Sequence, residues 1–565
     1  MKHSLRSQQW WFGNDYYNFT RRAWMRAEGF TPDVFQNRPV IGICNSWSEF
    51  NNCNAHLKTV AEAVKRGVWR AGGFPLEFPT ISLGEMLMKP TAMMFRNLMA
   101  MDVEESICAN PIDGVVLLGG CDKTTPAQLM GAASAGLPAI LVCGGPMLSG
   151  QWRDRKLGAG TDGRKLFQLF RTGKLTEEEW CEIEGGIARS AGHCTVMGTA
   201  STMAAITEAM GMSLPGSAVI PAPDSRHLAM AEMSGRRIVE MVEEDLRPAK
   251  IMTKDALENA IAVDMAIGGS TNAVVHLLAI AGRVGVDLKL DDFDQISRRT
   301  PCIVNVKPSG EFLMEEFFEA GGVPAVMNEI LPLLHGGAVA ANGKTVRENV
   351  EGAKCWNRSV IRSASEPLSQ GGGTVILRGN LAPRGAVIKQ TAASPHLLHH
   401  RGPAYVFESR EQMLAQIESP DLPVTRNSVL VMKSCGPKGA PGFPEWGQIP
   451  MPRVLLDQEV DDVVRVSDAR MSGTSFGTVV LHVAPESAAG GPLAAVRTGD
   501  EVELDTAART LTLHVTDGEI EQRLKSLTEA PPRYERGYGW LFIQHVTQAD
   551  EGCDFDFLRK RQVAG

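Results

Sequence analysis

The chain carries no net positive charge and no run of basic residues: 57 Lys and Arg stand against 65 Asp and Glu, a formal charge of −8. Nucleic-acid binders present a basic face, so this balance counts against that class. No apolar stretch reaches the ~18–20 residues that a membrane helix needs. The opening residues, MKHSLRSQQWWFGNDYYNF, lack the apolar core of a secretory signal, and the expectation is a cytoplasmic protein. Cysteine is scarce, 11 residues in 565, and none forms a CxxC pair. That excludes a disulfide scaffold, a zinc ribbon and a thioredoxin-type motif. Any metal held by cysteine must draw its ligands from distant parts of the chain. No Walker A string, no strand-linked GxGxxG and no G-x-S-x-G elbow is present, which disfavours nucleotide, hydride-transfer and acyl-transfer chemistry.

What is present describes a large α/β protein. At 565 residues the chain exceeds the usual size of one hydrophobic core, so two or three domains are expected. RPVIGICNSW, DGVVLLGG and LPAILVCGG read as buried strands, and NAHLKTVAEAVKRGVWRAGG and AQLMGAASAG as the helices between them. Such alternation predicts βαβ units around a mainly parallel sheet. Asn54 reads as the N-cap of the first helix, and further helical periodicity covers 196–212, 226–245 and 254–285. Residues 343–373 read as a linker. Beyond it come eight short strand candidates, from TVILRGN to TLTLHVT, the texture of a β-barrel or sandwich. DGEIEQRLKSLTEA is the final helix candidate, and the domain division is set at 1–370 and 371–565. Residues 1–35, with WW and YY pairs, read as an arm that packs on another surface.

The most informative string is GGCDKTTP at 119–126, where a buried strand gives way to a helix. Ligands of open α/β sheets bind at that edge, and Cys121, Asp122 and Lys123 place a thiol, a carboxylate and an amine there. An ordinary turn, with Asp122 capping the helix and Lys123 in solvent, uses the same residues. Cys53 and Cys194 also lie at predicted helix starts, where thiolates are favoured. Cys44, Cys108, Cys143 and Cys302 sit in or beside apolar runs and read as small buried hydrophobes. Three polar cysteines can hold an iron–sulfur cluster and, being one short of the usual four, leave an iron open as a Lewis acid. Glu85, Asp122 and Glu445 offer an oxygen-rich set suited to magnesium, or are three unrelated surface acids. In SDARMSGTSFG, Ser472 and Thr474 either face a site or make a simple turn.

Together these strings resemble the dihydroxy-acid dehydratase / 6-phosphogluconate dehydratase family. The likeness runs through the NCN cysteine, GGCDKTTP, GHCTVMGTAST, AIGGSTNAVVHLLAIA, GPKGAPGFPE, SDARMSGTSFG and HVAPESAAGGPLAAVRTGDEVELD, in the family's order. GGCDKTTP with SLGEMLMKP is most similar to the branch acting on pentonates and hexonates, such as L-arabonate or D-xylonate. The resemblance implies an α/β domain followed by a β-barrel-like domain similar to one in aconitase. It implies that Cys53, Cys121 and Cys194 hold a [2Fe–2S] cluster, with [4Fe–4S] the alternative. Glu85, Asp122 and Glu445 would bind magnesium together with a carbamylated Lys123, and Ser472 would be the base with Thr474 beside it. The implied activity is dehydration of an aldonate to a 2-keto-3-deoxy acid by a homodimer or homotetramer. Two alternatives stand beside it: the dihydroxy-acid dehydratase of branched-chain amino-acid synthesis, and a non-catalytic iron–sulfur redox sensor. A sensor has no need of Glu85, Lys123, Glu445 and Ser472.

Overall fold

The computed structural model describes residues 5–527, 531 and 533–560. Four strands, β1 (Val40–Asn45), β2 (Phe74–Pro79), β3 (Gly114–Gly119) and β4 (Ala139–Cys143), form a sheet of order β2-β1-β3-β4. Every pairing is parallel. All residues of β1, β3 and β4 are buried, as apolar runs covered on both faces must be. The order reverses between β1 and β3, so the loops leaving their carboxyl ends diverge and open a crevice. The residues after β1 include Cys53, those after β2 include Glu85, and those after β3 begin with Gly120 and Cys121.

A small hairpin, β5 (Gly150–Trp152) and β6 (Arg155–Leu157), follows. The remaining strands are β7 (Thr374–Gly379), β8 (Ala382–Lys389), β9 (His399–Phe407), β10 (Val429–Met432), β11 (Arg465–Ser467), β12 (Val479–Ala484), β13 (Glu501–Asp505) and β14 (Thr510–Leu513). They close a barrel in the order β10-β11-β12-β8-β7-β14-β13-β9, filled by Val, Leu, Ile and Ala side chains such as Val375, Leu377, Ile388, Val431, Val480 and Leu504. Strands β10, β11 and β12 run parallel, so the loops after β10 and β11, carrying Glu445 and Ser472, emerge at one end of the barrel. Among the described residues no helix is long and apolar enough to cross a membrane.

Several local expectations need correction. The helix after β1 spans Leu57–Arg70, and Asn54 is not its cap; its side chain is spent holding neighbouring loops together. The 254–285 stretch is two helices, Lys254–Ala266 and Asn272–Val284, because GGST interrupts the periodicity. Residues 343–373 are no bare linker: Cys302 pairs with Ser369, and Val304 with Ile361, as isolated bridges too short to leave a strand pattern. The helix Asp517–Lys525 is not final, since Gly537–His545 follows. That segment returns to the sheet half, where the Tyr538 hydroxyl donates to the Met94 carbonyl at 2.7 Å. Cys108 is exposed near the end of its helix, whereas Cys44, Cys143 and Cys302 are buried as expected. The N-terminal arm packs in part on its own chain, with Trp11, Val34 and Phe35 against Phe74 of β2, and leaves Tyr16, Tyr17, Phe19 and Trp24 exposed.

Candidate active site

The carboxyl edge of the sheet and the parallel end of the barrel face each other, and the sequence-predicted residues meet between them. Ligand oxygens of Glu85, Asp122 and Glu445 all lie within 4.8 Å of one another, the one such group of three His, Cys, Asp or Glu among the described residues. They are therefore not unrelated surface acids. Lys123 is fully buried in their midst: its ammonium donates to Asp122 and to Glu445 Oε1 at 3.1 Å, and stands 3.6 Å from Glu85 Oε2. The helix Thr124–Ala135 begins at Lys123 without a side-chain cap, so the capping role open to Asp122 is not realised.

Three residues that the sequence does not single out complete the acidic cluster. Arg470, buried to 0% exposure, reaches Glu445 Oε1 at 3.1 Å and the Phe443 carbonyl at 2.7 Å. Asn272 donates to the same Glu445 oxygen at 3.3 Å and to the Met471 carbonyl at 3.0 Å, tying Glu445 to the backbone beside Ser472. Thr91 Oγ1 donates to Glu85 Oε1 at 2.7 Å. The available signal was a charged Arg inside a small-residue loop, SDARMSG, but an arginine there is equally compatible with solvent. Burial works to raise the Glu445 carboxyl, yet Lys123 and Arg470 outweigh it and hold the group down to about 2. Burial prevails at Glu85, pushing its carboxyl up against the pull of Lys123. Burial and Arg470 oppose the charge on Lys123, but the three carboxylates keep it a firm cation. A free Lys123 ammonium thus occupies the place of a counter-ion. Converting it to a carbamate would reverse its sign and leave an all-oxygen anionic pocket that fits a hard cation.

The cysteines adjoin this cluster through Cys121, whose Sγ lies 3.4 Å from Asp122 Oδ1. Asn54 joins the loops: its Oδ1 accepts from Gly120 N at 3.0 Å while its Nδ2 donates to the Ser46 carbonyl at 3.1 Å and Ser82 Oγ at 3.0 Å. Gly120 passes so close that a Cβ there would meet the Cys53 carbonyl oxygen at 2.5 Å. The neighbouring Cys53 thiol, then burial, pushes the Cys121 thiol well up. Burial, with Cys53 and Asp122, pushes Cys194 up to about 12. The helices that follow the three cysteines begin at Leu57, Thr124 and Thr199, and the Thr125 N–H already donates to the Cys121 carbonyl at 3.2 Å, so Cys121 sits at the start of its helix. Their sulfurs do not all close within the 4.8 Å that the carboxylates reach. A soft, thiolate-binding metal group fits this donor set, since it deprotonates the thiols it binds. Beside Cys194 and Cys53, His193 Nε2 and His56 Nδ1 are buried without a hydrogen-bond partner among the described residues.

On the barrel side, Ser472 Oγ and Thr474 Oγ1 are 3.0 Å apart. Gly160, at φ +94°, lets the sheet half approach them, for a Cβ there would strike Thr474 Oγ1 at 2.5 Å.

The N-terminal model of the dihydroxy-acid/6-phosphogluconate dehydratases matches residues 38–349, and the C-terminal model matches residues 359–553. The chain belongs to this dehydratase family. It is 54% identical to an L-arabonate dehydratase of Azospirillum brasilense, over 99% of this chain and 97% of the relative. An L-arabinonate dehydratase of Rhizobium leguminosarum bv. trifolii (strain WSM2304) is 52% identical, over 98% of this chain and 96% of its own length. A 6-deoxy-6-sulfo-D-gluconate dehydratase of Pseudomonas putida is 49% identical, over 98% and 96%.

Proposed function

We propose that this dehydratase is a hydro-lyase that converts an aldonate into the corresponding 2-keto-3-deoxy acid. The observation that carries the reading is the convergence of Glu85, Asp122 and Glu445 on one buried lysine, with Cys121 on one side. Asn272 ties that cluster to the backbone next to Ser472. The names of the three relatives, all dehydratases of sugar acids, support the substrate class.

Glu85, Asp122, Glu445 and a carbamylated Lys123 would hold magnesium, and Cys53, Cys121 and Cys194 a [2Fe–2S] or [4Fe–4S] cluster. When bound, these groups supply Lewis acidity toward the substrate's carboxylate, its α-hydroxyl and the departing hydroxyl. The chain's own part begins at Ser472, whose oxygen takes the proton from the carbon next to the carboxylate. That proton and the neighbouring hydroxyl leave as one water, and the resulting enol tautomerises to the 2-keto acid. Arg470 and Asn272 keep Glu445 ionised and fixed while this happens, and the buried walls limit the water that would screen the charges. A hydroxyl is a weak base, so its neighbours must favour the oxyanion. The units 1–370 and 371–565, the second similar to an aconitase domain, would meet at this site. The exposed aromatics of the N-terminal arm would pair copies of the chain into a dimer or tetramer.

The test is turnover of D-xylonate, L-arabonate, D-gluconate and D-galactonate by anaerobically purified, magnesium-supplied protein, with 2,3-dihydroxyisovalerate as comparator. Formation of 2-keto acid from at least one aldonate is expected. Turnover of 2,3-dihydroxyisovalerate alone would instead establish the branched-chain activity. Silence across the panel from iron-loaded protein would reject both.

A further inference from the structure

Ser472 has a third partner at one remove. The helix Thr161–Arg171 starts against the Ser472–Thr474 loop, where Thr161 Oγ1 donates to the Thr474 carbonyl at 2.7 Å. One turn on, Arg164 Nη1 donates to Thr474 Oγ1 at 2.9 Å and to the Gly160 carbonyl at 3.2 Å. A guanidinium donates and never accepts. The Thr474 hydroxyl must therefore turn its own proton elsewhere, and its other hydrogen-bond partner among the described residues is Ser472 Oγ, at 3.0 Å. Were Ser472 the donor instead, the Thr474 proton would be left without an acceptor at a side chain in a residue only 5% exposed. The Thr474 backbone N–H also points to Ser472 Oγ, at 3.4 Å.

We infer that Arg164 is a positioning residue: it fixes the direction of the Arg164→Thr474→Ser472 hydrogen-bond chain and so prepares Ser472 Oγ to carry negative charge. Two bonds from Thr474 then arrive at Ser472 Oγ, leaving its own proton unengaged, so that loss of that proton gives a twice-bonded alkoxide able to take the substrate's proton. The inference rests on Ser472 being the base of the proposed dehydration. Asp162 pairs with Lys307 at 2.6 Å and Lys165 lies over the Phe476 ring, while Arg164 also faces Glu445, beside Lys123 and Arg470, and the Cys194 thiol. Arg164 and Glu445 share the lining of a cavity of about 260 Å³ with Trp446 and Phe476.

The experiment measures the nucleophilicity of Ser472 without needing turnover. Metal-loaded enzyme is treated with diisopropyl fluorophosphate, which phosphorylates a reactive serine with loss of fluoride, and labelled Ser472 is quantified by peptide mass spectrometry from about pH 6 to about pH 10. In Arg164→Met, labelling should be about tenfold slower with its pH limb displaced upward by about one unit, the worth of one charge-assisted hydrogen bond. Arg164→Lys should recover part of the rate. Thr474→Val should match the loss, and adding Arg164→Met to it should change nothing more, which separates a relay from misfolding. Equal profiles in parent and Arg164→Met, additive losses in the double variant, or no labelling of Ser472 in the parent would each overturn the inference. A parent that makes no 2-keto acid, yet shows the Arg164-dependent labelling, would sink the proposed function and leave only the Arg164–Thr474–Ser472 relay established.

Discussion

The two clusters at the site are opposites in how the protein treats charge. The carboxylates of Glu85, Asp122 and Glu445 face a cation supplied by the chain itself, and Arg470 reinforces Glu445. The thiols of Cys121 and Cys194 are kept protonated instead: the Cys53 thiol and then burial raise the first, and burial with Cys53 and Asp122 raises the second against the pull of Arg164. A buried charge is tolerated when paired, and an unpaired ionisable group stays neutral instead. The acidic cluster is consequently assembled before any ligand arrives, whereas the cysteine cluster is a set of loops brought close but not closed. The first should carry folding stability in the metal-free protein, and the second should not.

The largest test of that contrast removes the internal cation. Lys123→Met leaves three carboxylates facing one another and should cost about 3–5 kcal/mol in urea unfolding of metal-free protein, with magnesium restoring a large part. A variant as stable as its parent, with or without magnesium, would show that the carboxylates are not held by Lys123. Cys121→Ser is the counterpart on the other cluster. Its iron content and cluster absorbance should vanish, while metal-free stability changes by about 1 kcal/mol or less. At the barrel, Ser472→Ala should lower turnover about 10²–10⁴-fold and leave both the iron content and the stability in place.

Acid and base should separate the clusters in the metal-free protein. Glu445 has a folded pKa lowered from 4.5 to about 2, so its contribution is present above pH 4.5 and is lost as pH falls toward 2. Cys194 is raised from 9.0 to about 12, so its contribution is present below pH 9 and is lost as pH rises toward 12. Glu445→Gln should flatten the acid limb of stability against pH, and Cys194→Ala the alkaline limb. Either substitution acting on the wrong limb would break the comparison.

The sequence made one half of this contrast far more legible than the other. Cys121, Asp122 and Lys123 are adjacent at a strand end, and strand ends of parallel sheets are where sites form, so they could be singled out from local pattern. The eight barrel strands were readable as well, because short β-rich runs between Gly and Pro leave few alternatives. Their order was not, since a closed barrel with mixed parallel and antiparallel pairing depends on long-range contacts. The supporting residues stayed hidden for the same reason. Arg470 meets Glu445 across 25 positions and Asn272 meets it across 173, and no local periodicity records such a meeting. Asn54 was misread because an Asn shortly before a helix looks like a cap; here its side chain serves the tertiary contact instead.

Asn54 also gives the smallest and most selective prediction. Its amide bridges the loops after β1, β2 and β3 through Ser46, Ser82 and Gly120, and it holds none of the carboxylates. Asn54→Ala leaves the buried Gly120 N–H and Ser46 carbonyl without this partner, a cost of about 1–3 kcal/mol. The loops carrying Cys53 and Cys121 should then loosen relative to each other, so the variant should lose iron faster on exposure to a chelator. Magnesium dependence should stay unchanged, because Thr91, Arg470 and Asn272 still anchor Glu85 and Glu445. Chelator-driven loss of cluster absorbance, followed beside a magnesium titration of stability, measures both effects on one preparation. If iron retention were unchanged while magnesium binding weakened, the two clusters would be coupled through the sheet edge, and the division between a preassembled acidic half and a ligand-closed thiol half would have to be given up.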